Sequence, residues 1–225
     1  MQSEYKVRTK LGTIIGGSFE QGLQVKLDPA IATEELPVDS FAVVQGAGTV
    51  YFCIVTNLSI QSSANQIQWS ALDISNPSIS SLLKGTTTYS VAEVRPILSW
   101  NYVAEKAPAA SKTLPEPFSA VFTASEHDIQ TIFGSDEDAS HFAIGTPLDM
   151  NVNICLDIQQ LVERSSGVFG KAGTGKSFLT RLLLIGILKS GLATNLIFDM
   201  AGEYGWEGYS ESNTRVKGLK QLFPS

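Results

Sequence analysis

Short apolar runs alternate with turn-forming residues over the first hundred positions of the chain. The runs lie at 13–15, 23–27, 41–44, 50–55 and 66–72. Gly, Pro, Asp and Asn separate them, for example at Gly16, Pro29 and Asn76. Short strands at this spacing are typical of a small antiparallel barrel or a sandwich. The pattern predicts such a β fold at the N-terminus, and a small β-barrel is the form that we expect.

The residues that follow lose this pattern. Residues 106–117 mix Ala, Pro, Ser and Lys in irregular order, which is the composition of a linker. Ser125 is then expected to cap a short helix over 125–133, with Asp128 three residues further on. The sequence therefore divides into a barrel over 1–105, a linker over 106–117 and a second domain over 118–225.

A strand–loop–helix–strand unit is predicted inside the second domain. Apolar strands are expected at 141–144, 152–158, 165–169 and 195–199. Between the last two lies a helix that is apolar on nearly every side and ends at about Ser190, with Gly191 as its stop. This order is the unit of a parallel sheet. The predicted fold class is mixed: a small N-terminal β-barrel followed by the beginning of an α/β P-loop NTPase domain.

Residues 170–177 read GKAGTGKS and match the phosphate-binding pattern GxxxxGK[ST], the Walker A or P-loop, in full. The glycines allow the backbone to turn its N–H groups toward a phosphate, and the next helix presents its N-terminal amides to the same anion. Lys176 is expected to reach the β- and γ-phosphates, and the Ser177 hydroxyl to bind Mg²⁺. The alternative, a glycine-rich turn that fits the pattern by chance, is disfavoured by the predicted strand and helix on either side.

The loop and an acidic residue beyond it define the candidate site for ATP and Mg²⁺. Asp199 ends the next apolar strand and is expected to line the nucleotide pocket without being the principal Mg²⁺ carboxylate. For Glu203, the plain alternative to a functional role is a solvated loop acid. The candidate nucleotide-binding residues are Gly170, Lys171, Ala172, Gly173, Thr174, Gly175, Lys176, Ser177, Phe178 and Asp199.

Composition narrows the classes of function. The formal net charge of -6 argues against nucleic-acid binding over the whole surface, but it leaves room for a local basic lining. Cys53 and Cys155 are far apart in apolar stretches, so we expect buried free thiols and no zinc site. No apolar signal segment opens the chain, and its most apolar helical run is too short to span a bilayer. A soluble cytoplasmic protein without membrane contact is therefore expected.

The run FGKAGTGKS at 169–177, followed by DMAGEY at 199–204, resembles the HerA family of hexameric DNA translocases, whose motor is similar to that of FtsK. The opening LGTIIGG at 11–17 resembles the N-terminal HAS-type barrel of that family. The resemblance implies a RecA-like motor in a homo-hexameric ATPase that pumps double-stranded DNA during end processing, often beside a NurA-type nuclease. It also implies that Asp199 and Glu203 lie near the γ-phosphate, and it makes Lys176 and Glu203 the candidate catalytic residues.

The same resemblance implies further motor elements, because HerA-like proteins continue well beyond the equivalent of residue 225. The Walker B, sensor and arginine-finger residues are expected downstream, so the isolated chain is expected to hydrolyse ATP weakly or not at all. Two alternatives remain: a conjugation or secretion ATPase with a related motor, and a non-catalytic oligomerisation or docking fragment. Residues 1–100 carry six basic and eight acidic side chains, so the barrel is expected to bind protein in preference to nucleic acid.

Overall fold

The computed structural model describes residues 8–62, 87–102, 107–138, 140–147, 149–209 and 214–223. The chain forms two compact units. The first comprises Met1–Asp128 with Leu148–Met150, and the second comprises Ile129–Pro147 with Asn151–Ser225. In the described part of the chain, no helix has both the length and the apolar character needed to cross a bilayer.

A closed β-barrel makes up most of the first unit. Its strands are β1 (Lys10–Ser18), β2 (Gly22–Leu27), β3 (Phe41–Gln45), β4 (Thr49–Ser62), β5 (Thr88–Asn101), β6 (Ala109–Ala110) and β7 (Ala120–Thr123), with a 3-10 turn at Thr33–Glu35. The sheet order is β2-β1-β7-β3-β4-β5-β6, and β2 also pairs with β5. Six antiparallel strands therefore close on themselves, while β6 adds to β5. The predicted N-terminal barrel is confirmed.

Small β-branched side chains fill the barrel. Val25, Val44, Val55 and Val121 are completely buried, and they lie in one cluster with the thiol-bearing Cys53. Valine suits these positions because its branched side chain packs well on a pleated surface and fits the narrow interior of a small barrel. In β3 and the first half of β4, successive residues are buried, so both faces of these strands are covered, which accounts for the continuous apolar runs at 41–44 and 50–55.

The barrel extends past residue 105, the boundary expected from the sequence. β7 pairs with β1 on one side and β3 on the other, so residues 120–123 complete the closure. β6 pairs with β5 from within the segment 106–117 that the composition had marked as linker. These two strands are too short to carry a periodic pattern, and their pairing is with distant residues. The predicted strand at 66–72 lies outside the described residues.

Helix α1 (Glu126–Phe133) begins as the sequence predicted. The Asp128 amide donates to Ser125 Oγ at 3.3 Å, and the Asp128 carboxylate accepts from the Ser125 amide at 2.8 Å, so each residue satisfies the other at the helix start. Asp128 is almost completely buried, and the guanidinium of Arg8 also donates to both of its carboxylate oxygens. A buried carboxylate with this many donors is well compensated for its lost hydration.

The second unit is a mixed α/β region. Its elements are β8 (His141–Gly145), β9 (Ile154–Asp157), α2 (Ile158–Val162), α3 (Lys176–Ser190), β10 (Gly208–Tyr209), β11 (Arg215–Val216) and α4 (Leu219–Leu222). The helix α3 ends at Gly191 in a left-handed conformation, as predicted. Gly186 is the buried residue of α3, and it packs closely against Phe142. A side chain larger than glycine would not fit there, because its Cβ would lie only 2.8 Å from the Phe142 ring.

The predicted parallel sheet is absent from the described residues. Segments 165–169 and 195–199 flank α3 in the expected order, but neither forms a strand. Their apolar side chains are strongly exposed, with Phe169 at 93% and Phe198 at 88% of full accessibility. A strand needs a hydrogen-bonded neighbour, and that neighbour is set by distant parts of the chain, which a local pattern does not reveal. The mixed fold class is confirmed, whereas these two strands are not seen.

Candidate functional site

A tight glycine-rich loop over residues 170–177 opens helix α3. Gly173 and Gly175 have φ values of 78° and 84°, in the left-handed region that only glycine enters without strain. Thr174 Oγ1 donates to the Lys171 carbonyl at 2.8 Å and closes the loop on itself. The Leu179 amide then donates to the Gly175 carbonyl at 2.9 Å and starts the helix. The sequence therefore folds here into a tight turn that leads directly into the helix.

The loop and the start of α3 bring a lysine and a helix N-terminus together. No side chain caps the N-terminus of α3, and its first turn contains no acidic residue. The free amides and the positive end of the helix dipole therefore face outward, an arrangement that favours an anion. The ammonium group of Lys176 donates to the Lys171 carbonyl and so lies across the loop. Cation, helix end and glycine-rich turn thus converge on one place.

The turn after Asp199 brings a carboxylate to the start of α3. Ser177 Oγ donates to Glu203 Oε2 at 2.6 Å, although the two residues are 26 positions apart in the chain. A hydroxyl and a carboxylate oxygen side by side are the hard donors that Mg²⁺ prefers. The sequence leaves two interpretations of Glu203 open, a functional acid or a solvated loop acid. The structure puts its carboxylate in contact with the loop.

Asp199 organises the segment that carries Glu203. Its carboxylate accepts hydrogen bonds from the amides of Glu203 at 2.9 Å, Tyr204 at 2.8 Å and Gly205 at 3.3 Å. These amides, with that of Tyr204 contributing most, hold the pKa of Asp199 below its usual value, against the opposing effect of desolvation. Both oxygens of Asp199 are thus engaged within its own turn, and the residue acts on the loop at 170–177 through Glu203.

Arg181 links this turn to α3, and the sequence analysis had assigned it no role in the site. Its Nε donates to the Glu203 carbonyl at 2.9 Å, and its Nη2 donates to the same oxygen. Arg181 follows Ser177 by four residues, which places both side chains on one face of the helix. The available signal was that Arg181 is the one charged residue in the apolar run 178–188. An isolated charge in such a run indicates a specific partner.

Other candidate residues lie around the same loop. Ala172 and Phe178 are exposed, and the Phe178 ring has no role in the core. Among the described residues, no group of three or more His, Cys, Asp or Glu side chains forms a metal site. Cys53 and Cys155 are buried free thiols, as predicted, and burial raises the pKa of both.

An apolar cleft of about 390 Å³ lies beside this site. It is lined by Leu188, Asn195, Ile197, Asp199, Gly202, Gly205, Trp206, Leu219, Lys220 and Phe223. None of these residues belongs to the loop at 170–177. Phosphate binding needs converging backbone N–H donors beside a cation, which the glycine-rich loop and the start of α3 offer. The cation in the cleft wall, Lys220, lies over the Trp206 ring instead. The loop is therefore the candidate phosphate site.

Residues 142–222 match the protein-family model described as the central domain of the helicase HerA. The match covers somewhat more than a third of the chain, and it includes the whole loop, α3 and the turn from Asp199 to Gly205. The comparison with curated proteins gave no match. A closed β-barrel precedes the matched segment, as in the family that the sequence resembles. The second unit is thus similar to the central domain of HerA, a relationship that indicates a P-loop ATPase of the FtsK/HerA type.

Proposed function

We propose that this protein is the ATP-binding motor subunit of a HerA-like translocase, which couples ATP hydrolysis to movement on double-stranded DNA during end processing. The observation that carries the proposal is the glycine-rich loop at residues 170–177, which opens an uncapped helix inside the segment that matches the HerA central domain. A catalytic role in ATP hydrolysis requires the site to hold a polyphosphate and a divalent cation together.

The residues present fit this requirement. The left-handed glycines Gly173 and Gly175 leave the backbone at these two positions uncovered by a side chain, and Lys176 supplies a cation across the loop. The Ser177 hydroxyl and the Glu203 carboxylate are the oxygen ligands that a magnesium nucleotide needs nearby. When bound, Mg²⁺ neutralises phosphate charge and so favours phosphoryl transfer.

In this proposal each residue has a distinct part. The amides of the loop and Lys176 bind the β- and γ-phosphates, and Ser177 holds Mg²⁺. Glu203 is the proposed catalytic carboxylate, and its Oε2 accepts the hydrogen bond of the Ser177 hydroxyl. Asp199 keeps Glu203 in place through the backbone, so its proposed contribution to nucleotide binding is indirect. Phe178 lies next to the phosphate site and is 67% exposed, so it is available to a nucleotide.

The partners of the proposed motor are a homo-hexamer of this chain, double-stranded DNA and a NurA-type nuclease, in the cytoplasm. The support for these partners is the resemblance of the sequence to the HerA family and the match of residues 142–222 to the central domain of the helicase HerA. The net charge of -6 implies that DNA is contacted by a local basic lining of the ring.

Phosphate release from ATP, measured with and without linear duplex DNA on the protein that also carries the downstream motor elements implied by the resemblance, tests the proposal. We expect duplex DNA to raise the rate and Lys176→Ala to abolish the release. Lys217→Ala, which removes an exposed lysine of the same unit, is the matched control and is expected to behave as the wild type. Equal rates with and without duplex DNA would contradict the DNA motor. Stimulation by a protein partner alone would favour a conjugation or secretion ATPase.

A further inference from the structure

Every hydrogen-bonding group of Glu203 is held by a different residue. Its amide donates to Asp199 Oδ1 at 2.9 Å, its carbonyl accepts from Arg181, and its carboxylate accepts from Ser177 at 2.6 Å. Arg181 and Ser177 both belong to α3, whereas Asp199 precedes the turn. A backbone held from two sides fixes the direction in which the Glu203 side chain leaves the chain, and this direction brings the carboxylate within reach of the Ser177 hydroxyl.

We propose that Arg181 is a positioning residue, which holds the Glu203 carboxylate against Ser177 and thereby makes nucleotide affinity depend on Mg²⁺. The inference rests on the proposed function, because it concerns the same nucleotide site. It assigns a role to a residue that the phosphate-binding pattern does not include. The side-chain hydrogen bonds of Arg181 go to the backbone carbonyl of Glu203, so it acts on the Glu203 carboxylate through the backbone.

The chemistry of the guanidinium group explains why arginine stands at this position. Two N–H donors of its planar fork point to a single carbonyl oxygen of Glu203, which fixes direction as well as distance. A lysine ammonium is a point charge on a flexible side chain, so Arg181→Lys restores the attraction to the Glu203 carbonyl but not the two fixed N–H donors. Since Arg181 lies one helical turn beyond Ser177, it anchors the turn to the helix face that presents the hydroxyl.

The sign of the effect follows from charge. With Mg²⁺ present, a carboxylate next to Ser177 attracts the cation and favours the magnesium nucleotide. Without Mg²⁺, the same carboxylate repels the polyphosphate. The position of Glu203 therefore sets the ratio of nucleotide affinities with and without Mg²⁺, which we call the magnesium gain. Releasing Glu203 is expected to lower this gain, chiefly by weakening binding in the presence of Mg²⁺.

The magnesium gain is measured by titrating the protein with a fluorescent, non-hydrolysable ATP analogue in excess Mg²⁺ and in EDTA. We expect Arg181→Gln to lower the magnesium gain about tenfold, which is the usual effect of removing a residue that hydrogen-bonds to a metal ligand. Arg181→Lys is expected to restore part of it. Arg164→Gln, the same substitution at an exposed arginine outside this network, serves as the control and is expected to leave the gain unchanged.

Glu203→Gln tests whether Arg181 acts through Glu203. Because the carboxylate is then absent, Arg181→Gln is expected to have no further effect on the gain in the Glu203→Gln background. Independent, additive losses would overturn the inference, as would an unchanged gain in Arg181→Gln or Arg181→Lys. If the wild-type protein binds no nucleotide at all, the proposed function itself is contradicted. If the wild-type protein binds nucleotide and the magnesium gain is the same in Arg181→Gln, the inference fails but the proposed function stands.

Discussion

Asp199 shows how one ionised side chain supports a turn at the site. Three successive backbone amides, those of Glu203, Tyr204 and Gly205, donate to its carboxylate. Such a carboxylate is stabilised in its charged form and stabilises the turn in return. This turn presents Glu203 to Ser177. The charge of Asp199 therefore affects the site through the backbone of Glu203, without a hydrogen bond of its own to the loop.

The lowered pKa of Asp199 predicts a pH-dependent effect of Asp199→Asn. The folded-state pKa lies below the usual value of an aspartate, so the stabilisation is complete above that usual value and is lost as the pH falls through the folded-state pKa. Asn cannot accept from all three amides, since its amino group is a donor. Urea unfolding is therefore expected to show the variant to be less stable than the wild type at pH 7, with a difference that shrinks toward pH 3.

Asp149→Asn is the control for this experiment, because Asp149 is exposed. We expect it to change stability little at either pH. A difference between wild type and Asp199→Asn that is the same at pH 7 and pH 3 would contradict the role given to the Asp199 charge.

The residues of the site differ in how far the sequence could predict them. Gly173, Gly175, Lys176 and Ser177 are contiguous, and their types are dictated by local backbone shape and by phosphate chemistry, so a pattern suffices. The contact between Ser177 and Glu203, and the donation from Arg181, depend on the path of the chain across more than twenty residues. No local pattern encodes that path.

At the scale of elements too, local features follow from the sequence, whereas contacts between distant residues do not. The helix α3 and its end at Gly191 are local features and were predicted. Barrel closure by β7 and the pairing of β6 are non-local, and so the end of the barrel was placed too early in the sequence. The segments at 165–169 and 195–199 have the composition of strands, but composition alone does not supply the neighbour that a ladder requires.

The barrel core gives a prediction from two adjacent isoleucines on β1. Ile14 is 3% exposed inside the barrel, whereas Ile15 is 40% exposed on the outside. Ile14→Ala leaves a cavity in the core and is expected to lower the free energy of unfolding by about 2–5 kcal/mol. Ile15→Ala, the matched control, is expected to cost about 1 kcal/mol. Chemical denaturation of both variants measures the difference, and equal losses would contradict the assignment of the inward face.

At the scale of the whole molecule, the chain consists of two compact units with different roles in the proposal. The barrel is the proposed assembly module, and the second unit carries the candidate nucleotide site. Large apolar side chains remain exposed on the first unit, among them Phe19, Ile60 and Phe118. Exposed apolar surface of this kind favours association with another protein surface. A second copy of the chain is the partner that a homo-hexamer requires.

Light scattering coupled to size-exclusion chromatography tests this assembly. The chain has a mass of 24.2 kDa. We expect a species of about six times that mass, populated more strongly at higher protein concentration and in the presence of a magnesium nucleotide, because ligands stabilise the states that bind them. A strict monomer at high concentration under both conditions would contradict the assembly role of the barrel.

Nucleotide binding by the loop at residues 170–177 is the central claim, and an equilibrium titration with a fluorescent, non-hydrolysable ATP analogue tests it most directly. In the presence of Mg²⁺, we expect saturable binding at one site per chain. Lys176→Ala is expected to weaken it at least tenfold, because the cation at the mouth of the loop is lost, while Lys217→Ala leaves it unchanged. No binding by the wild type, or equal affinity in the wild type and Lys176→Ala, would contradict the account.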